Sequence, residues 1–542
     1  MRSPVPPGPH CVSPSERYPL APTVAPLIHT TRLAGGAQVT SAAPTPPTTT
    51  SPHSRRRPDR PTCQTACVSG FPTAPGAEAS AQRALADAEP RVFWTSQPGR
   101  PPIREPLTEI DRVCDLAIVG AGFTGLWAAI QAKEDNPSLD VVVLDMARVG
   151  DGASGRNGGF VSPSLTHGLA QGMAMWPDEM GLIEEMAAAN FAGWQATLER
   201  YGIDADFHLP GELTLSLTEH QDESVRDAYR MHCDKGDAVE LLSREEAYAR
   251  VHSPMYRCGI LDRSVGLVDP ARLSYGLAAA AESLGVTIHE YSRVTGFDDG
   301  GGGAGAVVVR TQQGSLLAQR VVVGTGAWPV LTRTRPFVIP VYDHVLMTEP
   351  LTPAQLGQIG WEGREGLADA GNQFHYYRRT LDDRILFGGY DANYHFPGRI
   401  DPTLEQSESH DLLARHFFSI FPQLDGLRFT HRWAGVIDTT SRFTPMFGTA
   451  LRGKLAYAVG YTGLGVGSTR WGARVALDLV QGNDTERSSL AMVRRKPKPF
   501  PPEPVRGIGV RITRASLARE DETGRRNLWL RALDRVGIGF DS

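Results

Sequence analysis

Residues 114–160, CDLAIVGAGFTGLWAAIQAKEDNPSLDVVVLDMARVGDGASGRNGGF, decide the fold of this 542-residue chain. An apolar run ends at Gly120-Ala-Gly122-Phe-Thr-Gly125, a helical stretch follows, and a second apolar run ends at Asp145. A strand, a glycine turn, a helix, a parallel strand and a terminal acid are the parts of a dinucleotide-binding βαβ unit. The sequence therefore predicts an α/β protein that binds a dinucleotide at this turn.

The glycines and the acid of this unit have separate physical roles. Gly120 forms the tight turn, Gly122 lets the backbone approach a pyrophosphate, and Gly125 lets the helix pack closely on the sheet. The free N–H groups and the dipole of the helix N-terminus favour the negative phosphate. Asp145 is placed to accept hydrogen bonds from ribose hydroxyl groups. The residues expected to bind the cofactor here are Gly120, Gly122, Phe123, Thr124, Gly125 and Asp145.

A second glycine-rich segment, GASGRNGG at residues 152–159, follows directly after the acidic strand end. Its backbone N–H groups can surround an anion, while hydroxyl and guanidinium groups reach phosphate oxygens. The alternative is a flexible surface loop, but the position beside the nucleotide unit favours a cofactor loop. The residues expected to contact the cofactor are Ser154, Arg156, Asn157, Gly158 and Gly159.

A third glycine-rich turn lies far along the chain, where residues 460–470 read GYTGLGVGSTR. A short apolar run leads through this turn into a helical stretch, which is again an anion-binding arrangement. The alternative is a helix start without a ligand. Two such turns suit one large cofactor held at both ends, whereas an NAD domain needs only the first, so the pattern favours FAD. The residues expected here are Gly463, Leu464, Gly465 and Gly467.

The GxGxxG turn, its acid and GASGRNGG together resemble the start of a known family of flavoproteins. They resemble the D-amino-acid oxidase/glycine oxidase superfamily of FAD-dependent amine oxidoreductases, and within it the gamma-glutamylputrescine oxidase-like proteins most closely, over residues 115–482. The resemblance implies an α/β fold with a discontinuous Rossmann-like FAD-binding domain. It also implies an α+β substrate domain with a mainly antiparallel sheet.

The resemblance divides the chain between these two domains. The FAD-binding domain is expected at residues 110–167, 255–335 and 431–482, and the substrate domain at 168–254 and 336–430. A C-terminal tail is expected at residues 483–542, as extended chain followed by a short amphipathic helix near residues 529–535.

Further site residues are implied by the same resemblance. Val294 would contact adenine through its backbone, and Gly326 would close the nucleotide domain beside the cofactor. Because the last cysteine is Cys258, the cysteine linkage that some relatives form near the C-terminal turn is excluded, and FAD is expected to be non-covalent. The substrate candidates are His344, Tyr377, Arg378 and Trp433, each with packing or an ion pair as the alternative role.

Composition sets the class of the molecule and its expected compartment. Apolar residues make up 41%, charged residues 21%, and the formal charge is −5, which gives no reason to expect a nucleic-acid partner. No apolar run has the length of a membrane span. Six cysteines in 542 residues do not indicate a disulfide scaffold or a metal site, so the cytoplasm is the expected compartment.

Residues 1–85 differ from the rest of the chain, since they are rich in Pro, Ser, Thr and Ala and poor in acids. Such a composition cannot bury enough apolar surface to offset the loss of chain entropy, so disorder is expected. A targeting peptide and a segment that is not translated are the two further interpretations.

The implied activity is oxidation of a primary or secondary amine or an amino acid. Hydride passes from the α-carbon to flavin N5, the imine hydrolyses, and O2 reoxidises the flavin. No catalytic residue is named, because the flavin carries the chemistry and the protein supplies orientation and electrostatics. The alternatives are an amine dehydrogenase of the same fold that uses a quinone or an electron-transfer protein, an NAD-dependent dehydrogenase, and a non-catalytic flavin-binding protein.

Overall fold

The computed structural model describes residues 71–300 and 305–538 of the chain. The expectations for residues 1–70 lie outside the described residues. Within the described ranges, no helix combines the length and the apolar character that crossing a membrane requires.

Helices form where apolar stripes are bounded by caps. At the start of α8, the carboxylate of Asp269 accepts hydrogen bonds from the N–H groups of Ala271 and Arg272, both at 2.9 Å, and Pro270 fills the first helical position. In chain order the described helices are α1 (Ala77–Leu85), α2 (Phe93–Ser96), α3 (Phe123–Asp135), α4 (Gly168–Met175), α5 (Met180–Arg200), α6 (Glu219–Lys235), α7 (Arg244–Arg250), α8 (Pro270–Ser283), α9 (Pro353–Ile359), α10 (Ser409–Ile420), α11 (Gly465–Gln481), α12 (Glu486–Ser489), α13 (Ala491–Arg494), α14 (Val505–Thr523) and α15 (Leu528–Arg535).

The strands form two large sheets and one short pair. In chain order they are β1 (Arg112–Val119), β2 (Val141–Leu144), β3 (Phe160–Val161), β4 (Glu212–Leu215), β5 (Val239–Leu242), β6 (Gly259–Asp262), β7 (Gly266–Leu267), β8 (Thr287–His289), β9 (Val294–Asp299), β10 (Val307–Thr311), β11 (Ser315–Val323), β12 (Val338–Thr348), β13 (Gly366–Asp369), β14 (His375–Arg379), β15 (Ile385–Gly389), β16 (Phe429–Thr440), β17 (Met446–Ala450) and β18 (Leu455–Val459).

The first sheet has the order β17-β18-β11-β1-β2-β8, and its central pairings are parallel. The hairpin of β9 and β10 pairs with β11 and packs on one face of this sheet. Helices α3, α8 and α11 pack on the other face in one large apolar cluster. Residues 116–119 of β1 and all of β2 are buried on both faces, and they form continuous apolar runs, as parallel strands do. This sheet confirms the Rossmann-like half of the expected fold.

The second sheet has the order β16-β12-β15-β14-β13-β4-β6-β5. All its pairings are antiparallel except the one between β13 and β4. Alternate residues on one face pack against α10, among them Leu213, Leu367 and Phe387 around Phe417. The opposite face is free to border a ligand cavity. This arrangement confirms the mainly antiparallel substrate sheet.

Two strands lie outside the domain segments that were expected for them. The sequence predicts that residues 255–335 belong to the FAD-binding domain, yet β6, within this range, pairs with β4 and β5 in the second sheet. β16 begins at Phe429 and runs beside β12, although residues 431–482 were expected in the FAD-binding domain. An apolar alternating run shows that a strand forms, but it does not show which sheet offers the open edge with which it pairs.

The expectation of disorder up to residue 85 is wrong for the last part of that range. Residues 77–85 form α1, whose buried face consists of Ala77, Ala81, Ala84 and Leu85. This face packs with α10 in the apolar cluster beneath the second sheet, and Ser80 Oγ donates to Asp425 Oδ1 at 2.6 Å. The average composition of residues 1–85 does not reveal this short apolar stripe, which is buried only when α1 packs against α10.

The C-terminal segment is also more ordered than expected. Residues 505–523 form α14, a 19-residue helix that follows the proline-rich stretch and was not anticipated. Its buried residues are Thr513 and Ser516, whereas Val505, Ile508 and Ile512 are exposed, so this helix does not bury an apolar stripe in the core. The expected short amphipathic helix does form, as α15.

Candidate active site

A cavity of about 1650 Å³ runs from the three glycine-rich segments to the second sheet and the C-terminal helices. Pockets that hold a single small ligand usually have about 300–1,000 Å³. The cavity therefore has room for a large cofactor together with a substrate.

The first glycine turn is fixed by its own backbone and by two side chains. Gly120 adopts φ +105°, a left-handed conformation that favours glycine. The N–H of Ala121 donates to Asp145 Oδ2 at 2.7 Å, and the N–H of Phe123 donates to Ser154 Oγ at 2.9 Å. Asp145 therefore holds the turn, and Ser154 connects it to the loop at residues 152–159.

Asp145 lines the cavity, and its carboxyl group is buried within the protein. Burial raises its pKa to about 6, although the N–H groups of Ala147 and Ala121 donate to it and oppose that rise. The group is therefore mostly ionised near neutral pH. A carboxylate has about four acceptor positions, so two backbone donors leave capacity for the hydroxyl groups of a ligand.

The C-terminal glycine turn precedes α11 and is organised by an acid that the sequence did not reveal. Asp438, on β16, accepts a hydrogen bond from the N–H of Gly460 at 2.5 Å, and burial raises its pKa to about 6. His167 borders the same turn, with Nε2 at 2.7 Å from the carbonyl oxygen of Thr462. Burial lowers the pKa of His167 to about 4, so this imidazole is neutral and donates to the carbonyl.

Family membership follows from comparison with known proteins. The DAO family, described as FAD dependent oxidoreductase, matches residues 115–479. The chain belongs to the DAO family of FAD-dependent oxidoreductases. The DAO-family resemblance seen in the glycine motifs is thereby confirmed.

Two curated relatives match this DAO-family chain over most of their own length. One is gamma-glutamylputrescine oxidoreductase of Escherichia coli K12, which is 30% identical over 388 residues. The match covers 69% of this chain and 85% of that relative. The other is the probable oxidoreductase OrdL of Haemophilus influenzae, which is 30% identical over 397 residues. The match covers 71% of this chain and 86% of that relative.

Solved structures confirm the DAO fold. Glycine oxidase from Geobacillus kaustophilus gives a TM-score of 0.58 at 21% identity and covers 69% of this chain and 96% of that chain. L-amino acid deaminase from Proteus vulgaris gives a TM-score of 0.56 at 16% identity and covers 72% of this chain and 100% of that chain.

The DAO family implies FAD, and the glycine-rich segments fit it. A Cβ at Gly122 would lie 2.9 Å from Ser154 Oγ, and a Cβ at Gly158 would lie 2.7 Å from the ring of Tyr376. Gly152 and Gly463 border the cavity and have nothing within 4 Å of such an atom. Backbone therefore lines the cavity where a cofactor would need to approach it closely.

The structure brings nearly all of the predicted cofactor residues together. The residues that line the cavity are Gly120, Gly122, Phe123, Thr124, Asp145, Ser154, Arg156, Asn157, Gly158, Gly159, Val294, Gly326, Gly463, Leu464 and Gly465. Gly125 and Gly467 do not line it. A Cβ at Gly125 would meet the carbonyl oxygen of Gly120, and a Cβ at Gly467 would meet that of Ser162, so both glycines permit close helix packing.

His344 and Tyr377 were expected near the substrate, but neither lines the cavity. Strand alternation turns both toward the face that packs on α10. The ring of His344 contacts His410, and burial lowers its pKa to about 3. The hydroxyl of Tyr377 lies 2.9 Å from that of Tyr256, inside the apolar cluster. The alternation predicted two faces but not which of them borders the cavity.

Arg378 and Trp433 also lie outside the cavity lining, and both support the cofactor loop from behind. Trp433 Nε1 donates to the carbonyl oxygen of Arg156 at 2.9 Å. Arg378 is fully buried, and its Nη1 donates to the carbonyl oxygen of Val268 at 2.5 Å. Both side chains thus satisfy backbone groups, which corrects the expectation that they bind substrate.

The cavity face of the second sheet carries polar groups that were not among the candidates. The hydroxyl of Tyr376 donates to Asp343 Oδ2 at 2.5 Å, and both residues line the cavity. Burial raises the pKa of Asp343 to about 6. Glu212, at the start of β4, borders the same cavity. The sequence could have indicated Glu212, because it is an acid in a strand of alternating residues. Leu213 and Leu215 are the buried positions of that strand, so Glu212 belongs to the opposite face.

The C-terminal helices form a wall of the cavity beyond the residues that match the DAO family. Val510, Thr513 and Leu517 of α14 line the cavity. The carboxylate of Asp521 fastens this helix to the loop before β14. It accepts hydrogen bonds at 2.8 Å from the N–H groups of Asn372 and Gln373.

Replacing Asp521 with alanine is expected to loosen α14 while FAD content stays unchanged. The substitution removes charge-assisted hydrogen bonds and leaves two backbone N–H groups without their acceptor, which costs about 1.5–3 kcal/mol locally. Limited trypsin digestion of the arginine-rich C-terminal segment should become about tenfold faster. Glu522→Ala, at an exposed position of the same helix, is the control. Equal digestion rates for the two variants would contradict the role of Asp521.

Proposed function

We propose that this enzyme oxidises an amine or amino acid with FAD held non-covalently in the cavity. The observation that carries the proposal is the cavity itself. It joins both glycine turns to the acidic face of the second sheet in one continuous space. Bound FAD would accept two electrons as a hydride from the carbon next to nitrogen.

The cavity-lining glycines, Ser154 and Asp145 hold the cofactor in this proposal. The N-terminus of α3 would receive the pyrophosphate, and the N-terminus of α11 would favour negative charge at the flavin end. Arg156 pairs with Glu405 at 2.8 Å, which fixes the cofactor loop against the substrate side. The second sheet and α14 orient the substrate and exclude water.

Non-covalent binding is supported by the position of the cysteines. In the described part of the chain, Cys114, Cys233 and Cys258 form no disulfide, and none of them borders the cavity. Acid precipitation of the purified protein is expected to leave the yellow flavin in the supernatant. Colour retained in the pellet would show a covalent bond.

The scarcity of cysteine supports the cytoplasm as the proposed compartment.

A substrate panel tests the activity. The purified protein is mixed under anaerobic conditions with gamma-glutamyl diamines, sarcosine, glycine and D-amino acids, and the visible flavin absorbance is followed. Bleaching by at least one amine is expected. If flavin is bound and no member of a broad panel bleaches it, the protein binds flavin without this activity.

Reoxidation by O2 completes the proposed cycle. After anaerobic reduction, air is admitted, and both recovery of the flavin absorbance and formation of peroxide are measured. Rapid recovery with stoichiometric peroxide is expected. Slow recovery that a quinone accelerates would instead identify an amine dehydrogenase.

A further inference from the structure

The carboxyl group of Glu212 differs from the other carboxyl groups that border the cavity. Within residues 71–300 and 305–538 it has no hydrogen bond and no ion pair, and its environment contributes only burial and a neighbouring acid. The others each accept a hydrogen bond or pair with an arginine: Asp145, Asp151, Asp343, Asp401, Glu405 and Asp438. Its capacity to accept a proton or a hydrogen bond is thus left for a ligand.

Glu212 sits where the cofactor loop meets the substrate sheet. It pairs in register with Gly366 of β13, and a Cβ on Gly366 would lie 2.3 Å from the ring of Phe160. Phe160 directly follows the GASGRNGG segment and also lines the cavity. The ring of Phe160 lies edge-on to Tyr376, with centroids 6.0 Å apart. Glu212 therefore shares this end of the cavity with aromatic walls.

No cation on the surrounding elements neutralises Glu212. Across β6 its register partner is another acid, Asp262. Three arginines on segments around the second sheet, and an imidazole that lines the cavity, have other partners: Arg364 with Asp206 at 3.3 Å, Arg378 with Asp206 at 3.9 Å, Arg250 with Glu365 at 3.1 Å and His167 with the carbonyl of Thr462. A cationic ligand is the missing partner that this environment favours.

We propose that Glu212 is the residue that removes the proton from the substrate ammonium group before oxidation, an inference that rests on the proposed function. The N–H bond of R–NH3+ breaks, an O–H bond forms on the Glu212 carboxylate, and the neutral amine keeps the electron pair. No electrons are transferred in this step. The step is needed because amines are protonated near neutral pH, whereas only a neutral amine can supply its lone pair as hydride leaves.

The acidity of Glu212 suits this role. Burial, and to a smaller extent the charge of Asp262, raise the pKa of its carboxyl to about 7. A general base works best when its pKa lies near the operating pH, since it must both hold and release the proton. In the folded protein Glu212 can therefore be a carboxylate before the substrate binds and a carboxylic acid afterwards.

The test compares wild type with Glu212→Gln, which keeps the shape and removes the base. Anaerobic flavin reduction by an amine from the panel is measured across pH. In wild type the rate should rise through an ionisation near 7. In Glu212→Gln this ionisation should vanish, with a rate about 100-fold lower at neutral pH. With a β,β-difluorinated analogue, whose ammonium group ionises near neutral pH, rescue should appear as a much smaller ratio between the wild-type and Glu212→Gln rates.

Two further measurements test the ionisation of Glu212, and the second of them needs no substrate. Asp262→Asn removes the neighbouring charge, so the wild-type ionisation should move to lower pH without a loss of the limiting rate. Flavin-free Glu212→Gln should gain stability relative to wild type as pH rises from about 4.5 to about 7, because a raised folded pKa makes wild type lose stability over that window. If no such pH-dependent difference is seen, the inference is overturned even without a substrate.

The results separate this inference from the proposed function. Reduction of wild-type flavin, with Glu212→Gln keeping both the rate and the pH profile, overturns the role of Glu212 and leaves the function intact. Loss of rate without rescue by the fluorinated analogue also overturns it, because that pattern indicates a structural role. Failure of every amine to reduce wild-type flavin overturns the proposed function, and with it the proton transfer.

Discussion

Replacing Gly125 with alanine is expected to abolish FAD retention and to lower the free energy of unfolding by about 3 kcal/mol or more. A Cβ at this position would lie 1.8 Å from the carbonyl oxygen of Gly120 and 3.1 Å from Ile118 Cγ2. The main obstacle is backbone, which no rotamer change relieves. Helix α3 must therefore move away from β1, and the N–H groups that would face the pyrophosphate move with it.

Gly181→Ala is the matched control for this prediction. Gly181 lies near the start of α5, and a Cβ there meets nothing within 4 Å. Alanine should raise stability by up to about 1 kcal/mol, because glycine is the poorer helix former. Melting temperature and the ratio of flavin to protein absorbance give both readouts. Wild-type flavin content in Gly125→Ala would show that the turn does not hold the cofactor as proposed.

Replacing Arg378 with methionine is expected to lower the free energy of unfolding by about 3 kcal/mol and to reduce FAD content. Its guanidinium donates to the carbonyl oxygen of Val268, lies 3.5 Å from that of Gly158, and lies over the ring of Trp94. Methionine fills part of the volume but leaves buried carbonyl oxygens unpaired. Because Gly158 belongs to the cofactor loop, the damage should reach the cofactor.

The same variant separates a structural role from substrate binding. A carboxylate clamp would predict a large rise in KM with stability unchanged, whereas the observed contacts predict lower stability with KM unchanged once FAD is saturating. Denaturant unfolding and amine titration of the FAD-loaded enzyme measure the two quantities. Arg320→Met, at an exposed position of β11, should stay within about 0.5 kcal/mol of wild type. A rise in the KM of Arg378→Met with no change in its stability would instead support the carboxylate clamp.

The cofactor side was readable from sequence because its physics is local. Gly120, Gly122 and Asp145 act through a turn, a helix N-terminus and a strand end that lie within one short segment. Such a unit carries its own geometry, so residue types at fixed spacing suffice to predict it. Gly467 is the instructive exception, since its role as a packing contact to Ser162 depends on a distant loop.

The substrate side was predicted less well because it depends on the orientation of a sheet. Period-two alternation correctly separates Tyr376 from Tyr377, but either face could have bordered the cavity. Helix α10 and the residues of α1 cover the face that carries Tyr377 and His344, which leaves Tyr376 and Asp343 on the cavity side. Helix α1 comes from a segment whose composition gave little indication of order, and nothing in the sequence shows which face of the sheet α10 covers.

The sequence by itself determined the dinucleotide unit, the second glycine turn and hence the FAD-dependent family. Only the tertiary structure decided that Arg378 and Trp433 support the cofactor loop and that α14 lines the cavity. It alone also decided that Glu212 faces the cavity without a partner among the described residues. The physical reason is range. Turn geometry and helix dipoles act between residues close in sequence, whereas burial, strand pairing and the lack of a counter-charge arise only when distant segments meet.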